Sequence, residues 1–413
     1  MAVRAAKHFD IEKEYRRAEA LHAAGKNERA RAIYARLLKV RPLNPPALDL
    51  FGVLANRNRM FDTAVELLRE AVACEPENID MNFHLALALS NQGQFDAARA
   101  VYQKVMHAVP PTADRLHNYA DLLLAQGELV AAEEHYRRAM ELDATWLPTW
   151  NKLAEVLIRR GRHIEAIPLL EHCLQVEPNH IPALSLLAIA LAATDEEQRL
   201  ATLVDLERFI MPMAARPVAA FPNLAEFNRQ LANYVVRHPG LKTDLRDIST
   251  RQGGQTMGNL FDDRHPLIHA LREMIGEVLA TYMDRLPELP DHPHCGQVPA
   301  DWRLEGWGVV LRSGGHQAAH VHFDGWVSCV YYLSLPEVIQ ADDPQQAGWI
   351  QFGHGPNDYY GDVVPPTRRI QPQEGYFVMF PSYFWHETIP FTSDEARICI
   401  AFDVIPRDRR RPR

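Results

Sequence analysis

Cysteine is scarce in this sequence: five residues, Cys74, Cys173, Cys295, Cys329 and Cys399, are spread over 413 positions. The count is odd and no two stand at CxxC spacing, which excludes a disulfide framework and the common zinc-finger patterns. These thiols read as reduced, mostly structural groups of a cytoplasmic protein. No run of about 18 apolar residues occurs anywhere, and the opening MAVRAAKHFDIEKEYRR has no apolar signal core. The expectation is a chain that neither spans a membrane nor carries a visible export signal. An excess of positive charge is lacking as well. The net charge of −9 argues against nucleic acid as a partner, and the basic tail Arg407 to Arg413 reads as a solvated end. What is present is ordinary: 47% hydrophobic and 23% charged residues, at a length that suits about two domains.

The first half repeats. Pro42, Pro76, Pro110 and Pro178 fall on one 34-residue period, with Ala144 at the missing step. Gly25, Gly93, Gly127 and Gly161 run in phase with it, with Arg59 interrupting the series. Ala30, Ala64, Ala98, Ala132 and Ala166 form an unbroken third series, and Tyr34, Leu68, Tyr102, Tyr136 and Leu170 a fourth. Each series has a physical reason. Glycine ends a helix in the left-handed cap conformation without strain. Alanine lets paired helices approach, the large residue four positions on fills the gap between units, and proline cannot continue the second helix. Over residues 11 to 180 these features resemble the tetratricopeptide repeat, a helix–turn–helix unit. Residues 181–213 begin like a further unit and then lose phase, which reads as a capping helix pair. The resemblance implies an all-α solenoid whose concave surface binds a protein or peptide; a rigid spacer or dimerisation module is the bland alternative. The polar Asn118 and Asn151 within the array cannot be placed on a face from sequence.

Ala214 to Pro222 (AARPVAAFP) breaks the helical period and reads as the domain boundary. Beyond it, Leu224 to Arg237 and Pro266 to Arg285 carry helical spacing, and the glycine-rich Thr250 to Leu260 reads as a loop feeding a strand. Residues 286–300 hold four prolines and read as an irregular connection. Its His292, His294 and Cys295 match no zinc spacing and lack further ligands. From Trp302 the pattern becomes strand after strand: Gly306 to Arg312, a Ser-Gly-Gly turn, Val327 to Leu335, Gly348 to Phe352, Arg368 to Pro372, Gly375 to Phe380 and Arg397 to Ile405. Short strands with Gly/Pro turns indicate a sandwich or jelly roll.

Within that domain three features follow one another. His320–Val321–His322 overlaps His322–Phe323–Asp324, then His386 follows an apolar strand in FPSYFWHE, then Arg397 opens the last strand. Alternate strand residues share a face, so either pair can converge on one ion. An imidazole pair with one more ligand leaves open positions on Fe(II), and arginine offers a bidentate fork for a dicarboxylate. Residues 306 to 406 resemble the double-stranded β-helix core of Fe(II)/2-oxoglutarate oxygenases. The segments GGHQAAHVH, SCVYYL, QEGYFVMFPSYFWHETIPF and ARICIAFDV carry the likeness, and the group they are similar to is often found behind tetratricopeptide repeats. The domain is also distantly similar to prolyl and aspartyl/asparaginyl hydroxylases.

The resemblance implies a multidomain protein: a repeat array over 11–213, then an α+β domain over 222–406 with its jelly-roll core at about 302–406. It implies Fe(II), 2-oxoglutarate and O2, with no catalytic group beyond the metal site. The proximal histidine maps onto His320, and His322 then stands where aspartate is usual, giving His320, His322 and His386. The rival register takes His322 with Asp324, and a third option keeps two histidines alone with His322 set back from the ion. Arg397 would hold the far carboxylate of 2-oxoglutarate, with Tyr332 able to reach it and Tyr331 on the opposite face. His316, Trp326, Trp349, Trp385 and His354 read as turn, core or pocket-wall residues. The implied activity is hydroxylation of a protein or peptide side chain recruited by the array. A non-catalytic scaffold with a degenerate oxygenase domain and a three-histidine cupin-type metalloenzyme are the alternatives, and oligomeric state is left open.

Overall fold

A computed structural model describes residues 11–23, 27–40, 44–194, 196–243, 249–360 and 363–407. Gly25, Pro42 and the tail beyond Arg407 lie outside these described residues. By its contacts the chain divides into two units, Met1–Val156 and Leu157–Arg413.

The first unit is helical. Its helices are α1 (Ile11–Ala23), α2 (Asn27–Val40), α3 (Pro45–Arg57), α4 (Phe61–Cys74), α5 (Ile79–Asn91), α6 (Phe95–Ala108), α7 (Ala113–Ala125), α8 (Leu129–Leu142) and most of α9 (Leu147–Arg159). They associate as successive pairs, α1 with α2, α3 with α4, α5 with α6 and α7 with α8. Asn44, Asn78 and Thr112 start the first helix of a pair by accepting a backbone N–H from three residues on. The alanines Ala30, Ala64, Ala98 and Ala132 and the large residues Tyr34, Leu68, Tyr102 and Tyr136 are all fully buried. Gly93 and Gly127 end α5 and α7 at φ of 84° and 78°, and Arg59, at the step where glycine is missing, takes the same left-handed conformation at φ 59°. The backbone demand of the turn outlasts the residue suited to it.

The second unit opens on helices. After the end of α9 come α10 (His163–Val176), α11 (Ile181–Ala192), α12 (Glu197–Leu203) and α13 (Leu206–Phe209), and the sheet region contributes α14 (Leu224–Val236) and α15 (Pro266–Arg285). The strands are β1 (Met211–Ala214), β2 (Leu241–Thr243), β3 (Thr250–Thr256), β4 (Trp302–Gln317), β5 (Val327–Ser334), β6 (Ile350–Phe352), β7 (Arg368–Ile370), β8 (Tyr376–Pro381), β9 (His386–Thr388) and β10 (Arg397–Pro406). A seven-stranded antiparallel sheet has the order β1-β8-β5-β10-β4-β3-β2, and a three-stranded sheet has the order β7-β6-β9. Phe352 of the small sheet meets Phe380 of the large one with ring centroids 4.8 Å apart, so the two sheets form facing layers of a jelly roll.

Several local expectations give way to pairing. Thr250–Thr256 is a strand rather than a loop, because its glycines allow a tight ladder with β4, where a Cβ on Gly253 would lie 2.6 Å from the Val310 carbonyl oxygen. The Ser-Gly-Gly turn is not a turn. β4 runs through it, with a register shift opposite Arg251 and Gly253 and with Gly314 at φ 74°. The end of the expected capping segment, Met211–Ala214, is a strand registered on β8 through Met213 and Phe377. Elements before residue 222 therefore belong to the same contact unit as the sheets.

One face of the large sheet is given over to the core. Val327, Cys329, Tyr331 and Leu333 of β5 and Ile398, Ile400, Phe402 and Val404 of β10 pack with Phe227, Leu231 and Val235 of α14 and Ile268, Leu271 and Ile275 of α15. Strand alternation then forces Ser328, Val330 and Tyr332, and Arg397, Cys399, Ala401 and Asp403, onto the other face. Both strands are buried throughout apart from the half-buried Ser334. That second face carries the polar residues.

Candidate metal centre

His320 and His386 are fixed by the backbone before their side chains act. Each donates its N–H to the other's carbonyl at 3.1 Å, an isolated antiparallel bridge that ties the end of the β4 connection to the start of β9. His322 donates its N–H to the Ser382 carbonyl at 3.1 Å. The three imidazoles converge, with ring centroids 4.2 Å (His320–His386), 5.1 Å (His320–His322) and 5.0 Å (His322–His386) apart. One nitrogen from each lies within 4.8 Å of the others, the one potential metal-ligand cluster among the described residues.

All three rings use Nδ1 for a hydrogen bond. His320 Nδ1 lies 2.8 Å from the Ala318 carbonyl, His386 Nδ1 3.0 Å from the Phe384 carbonyl, and His322 Nδ1 2.6 Å from Asp403 Oδ1. An acceptor at Nδ1 holds the proton there and leaves the Nε2 lone pair for a metal. Burial, reinforced by the neighbouring His322, pushes His320 down to about 3, and burial beside His320 and His322 holds His386 well below its usual value. Neutral imidazoles are the ligating form. The donor set fits a divalent ion that accepts nitrogen ligands, iron among them.

Arg397 opens β10 and is 1% exposed. No carboxylate of the described residues pairs with it. Its guanidinium lies 4.9 Å over the Tyr332 ring, one of its NH2 groups donates only to Cys399 Sγ at 3.6 Å, and its Nε has no partner. The Tyr332 hydroxyl, also buried, faces the Arg397 guanidinium and has no acceptor, and burial pushes its pKa upward, so it stays a donor. A buried cation beside an unused donor is costly unless an anion completes it, and a dicarboxylate cosubstrate carries the charge that would do so. Trp307 of β4 adds a third orphan: its buried Nε1 has no partner, and its ring lies 5.5 Å from that of His322.

The other sequence candidates separate cleanly. Asp324 is exposed on the turn after His322 and is not in the histidine cluster. Tyr331 points to the core face, where its hydroxyl donates to Asn228 Oδ1 at 2.6 Å. His316 is half-buried with Nδ1 3.2 Å from the Gly314 carbonyl, and His354 stacks on Tyr360. Trp326, Trp349 and Trp385 each donate Nε1 to a backbone carbonyl, of His294, Gln340 and Ser185. His292 and His294 are structural: His294 Nε2 meets the Tyr282 hydroxyl at 2.8 Å, and His292 Nε2 meets the Thr202 carbonyl at 3.2 Å. Of the polar array residues, Asn118 is held by Asp114 and Asn151 is buried.

Sequence reasoning overlooked Asp403, Ser328 and Ser382. Ser328 Oγ donates to Asp403 Oδ1 at 2.6 Å and lies 2.8 Å from Ser382 Oγ, so the carboxylate behind His322 is itself held. The available signal was polarity at alternate positions of two otherwise apolar strands, VSCVYYL and RICIAFDVI.

Residues 305–403 match the family described as "Putative 2OG-Fe(II) oxygenase". Tetratricopeptide-repeat families match residues 15–79, 55–119, 115–138 and 147–180. None of the curated proteins matches the chain. Among solved structures, the repeat protein TTC0263 of Thermus thermophilus is 23% identical, over 44% of this chain and 99% of that one, at a TM-score of 0.38. MamA of Desulfovibrio magneticus RS-1 is 18% identical over 41% and 96%, at 0.37. PilF of Pseudomonas aeruginosa is 15% identical over 47% and 88%, at 0.41. The chain thus joins tetratricopeptide repeats to a C-terminal domain of the 2OG-Fe(II) oxygenase kind.

Proposed function

We propose that this protein is an Fe(II)- and 2-oxoglutarate-dependent dioxygenase that hydroxylates a side chain of a protein or peptide engaged by its repeat array. The observation that carries the reading is the buried Arg397, paired with no carboxylate of the described residues, on the same face of β10 as Asp403, which backs the histidine cluster. The two are six residues apart, about 20 Å of strand. Cys399 and Ala401 lie between them on that face, with Val309 of β4 and Val330 of β5 registered opposite. The large Trp307 of β4 and Tyr332 of β5 are registered with Ala401 and Cys399 and flank this stretch.

In this reading His320, His322 and His386 hold the ion through Nε2, and Arg397 with the Tyr332 hydroxyl holds the distal carboxylate. Bound there, iron and 2-oxoglutarate supply the activation of O2 that C–H hydroxylation requires. The protein contributes orientation and exclusion of water: the site face is buried, and Phe352 and Phe380 wall it beside His386. The repeats support a macromolecular substrate, because such arrays generally bind protein or peptide segments. Cysteines that form no disulfide among the described residues favour a reducing, cytoplasmic setting. No described helix is long and apolar enough to cross a membrane.

The test is to incubate the purified protein with Fe(II), ascorbate and 2-oxoglutarate and to measure succinate and cosubstrate binding. Iron-dependent succinate, formed alone or stimulated by a peptide substrate, is the expected outcome. Absence of turnover together with absence of 2-oxoglutarate binding would overturn the proposal.

A further inference from the structure

We infer that Asp403 supplies, one residue removed from the metal, the negative charge that a ligating carboxylate would otherwise bring, and that it positions His322 as the third ligand. This rests on reading the three histidines as a metal centre. Asp403 is 6% exposed and has a single ion-pair partner among the described residues, His322, 2.6 Å from its Oδ1. A carboxylate that deep in a sheet needs a positive partner or a full set of donors. Here one oxygen receives both His322 Nδ1 and Ser328 Oγ, each at 2.6 Å. A neutral imidazole leaves the charge undercompensated, whereas an imidazole polarised by a cation at Nε2 completes it.

The surroundings are built for that contact. Ser328 stands opposite Asp403 in the β5–β10 register, so the hydroxyl is delivered by strand pairing. The turn after His322 closes over the network: a Cβ on Gly325 would lie 2.4 Å from Ser382 Oγ and 3.3 Å from Asp403 Cβ. Only a residue without a side chain lets the turn sit there. His320 and His386, by contrast, give Nδ1 to neutral carbonyls two residues away in their own segments. Only His322 is backed by a charge, and from a strand 81 residues further along the chain. A carboxylate accepting from Nδ1 raises the basicity of Nε2 and fixes the ring plane. The ligands that the protein would offer a metal are then all nitrogen, with the charge one step out, which suits later first-row ions as well as iron.

Co(II) is the probe, bound to the full-length protein, with affinity measured against a competing chelator and the ligand field read from the visible spectrum. Asp403→Asn preserves size and should weaken Co(II) binding about 10–100-fold and shift the spectrum. Asp403→Glu should recover part of the affinity, a pattern that a purely structural aspartate would not give. Asp403→Asn with wild-type affinity and spectrum overturns the inference while leaving the metal centre standing. Wild type that binds Co(II) no better than His386→Ala defeats the metal-centre reading itself. If Asp403→Asn does not fold, Ser328→Ala carries the test: several-fold weaker binding with a shifted spectrum supports the role, and unchanged binding overturns it.

Discussion

Two clusters in the second unit bring histidines together in buried surroundings, and they use their nitrogens differently. In the first, His292 Nδ1 accepts the backbone N–H groups of His294 and Cys295, its Nε2 faces the Thr202 carbonyl, and His294 Nε2 meets the Tyr282 hydroxyl. His294 also stacks on Trp326 at 5.0 Å and 18°. His292 commits both ring nitrogens to the fold and His294 its Nε2. In the second, each ring commits Nδ1 to an acceptor and turns its remaining nitrogen toward the other two. Both clusters are buried enough to depress pKa values: burial takes His294, like His320, down to about 3. Depressed pKa values therefore do not separate a histidine held by the fold from one in the candidate metal cluster. The convergence of three ring nitrogens within 4.8 Å of one another does.

The comparison breaks most visibly on alanine substitution. His386→Ala should take divalent-metal stoichiometry from one to zero, measured by titration calorimetry. His294→Ala should keep the stoichiometry but cost about 2–4 kcal/mol of stability, since it leaves a void against Trp326 and an unpaired Tyr282 hydroxyl. Metal retained in the first variant, or lost from a folded second, would contradict the distinction.

Arg397 sharpens the same contrast for the cosubstrate. Arg397→Leu should weaken 2-oxoglutarate binding more than about 100-fold, on the order of 3 kcal/mol, while leaving Co(II) binding near wild type. Arg397→Lys should fall between, because a point charge replaces the bidentate fork. Equal 2-oxoglutarate affinity in all three proteins would remove the arginine from the site.

Acid should act on both clusters in the metal-free protein. The unfolded chain binds protons at the ordinary histidine pKa of about 6.5, while folded His320 and His294 resist them down to about 3 and burial holds His386 well below its usual value. Stability contributed by these neutral rings is complete above about pH 6.5 and is lost as pH falls toward about 3. The melting temperature of the metal-free protein should drop between about pH 7.5 and about pH 5. A flat melting-temperature profile over this interval would exclude the effect.

The smallest expected change distinguishes the two ligand registers. Asp324 is exposed, so Asp324→Asn should alter Co(II) affinity by less than about twofold, within the usual range for a surface substitution. A loss comparable to His386→Ala would restore the His322–Asp324 pair.

Much of this was legible in the sequence because it is local. The 34-residue period prescribes cap, contact and stop at each step, and the β5 and β10 patterns announce two buried strands. The order His-x-His, then His386, then Arg397 already suggests which chemistry the strands present, and the exposed Asp324 and the core-facing Tyr331 were open alternatives there. The strand role of Thr250–Thr256 was hidden because glycine and glutamine have low strand propensity alone; pairing to β4 overrides it. The role of Asp403 was hidden for a related reason: its partners come from other strands.

By itself, then, the sequence determined the repeat, the strands and the residue types of the site, since periodicity and side-chain chemistry are carried by neighbours along the chain. Only the tertiary structure decided which face of β10 meets α14 and α15 and which meets the histidines. It alone brought Asp403 against His322 across 81 residues. Alternation divides a strand into two faces without saying which is which; that choice is made when the sheet packs.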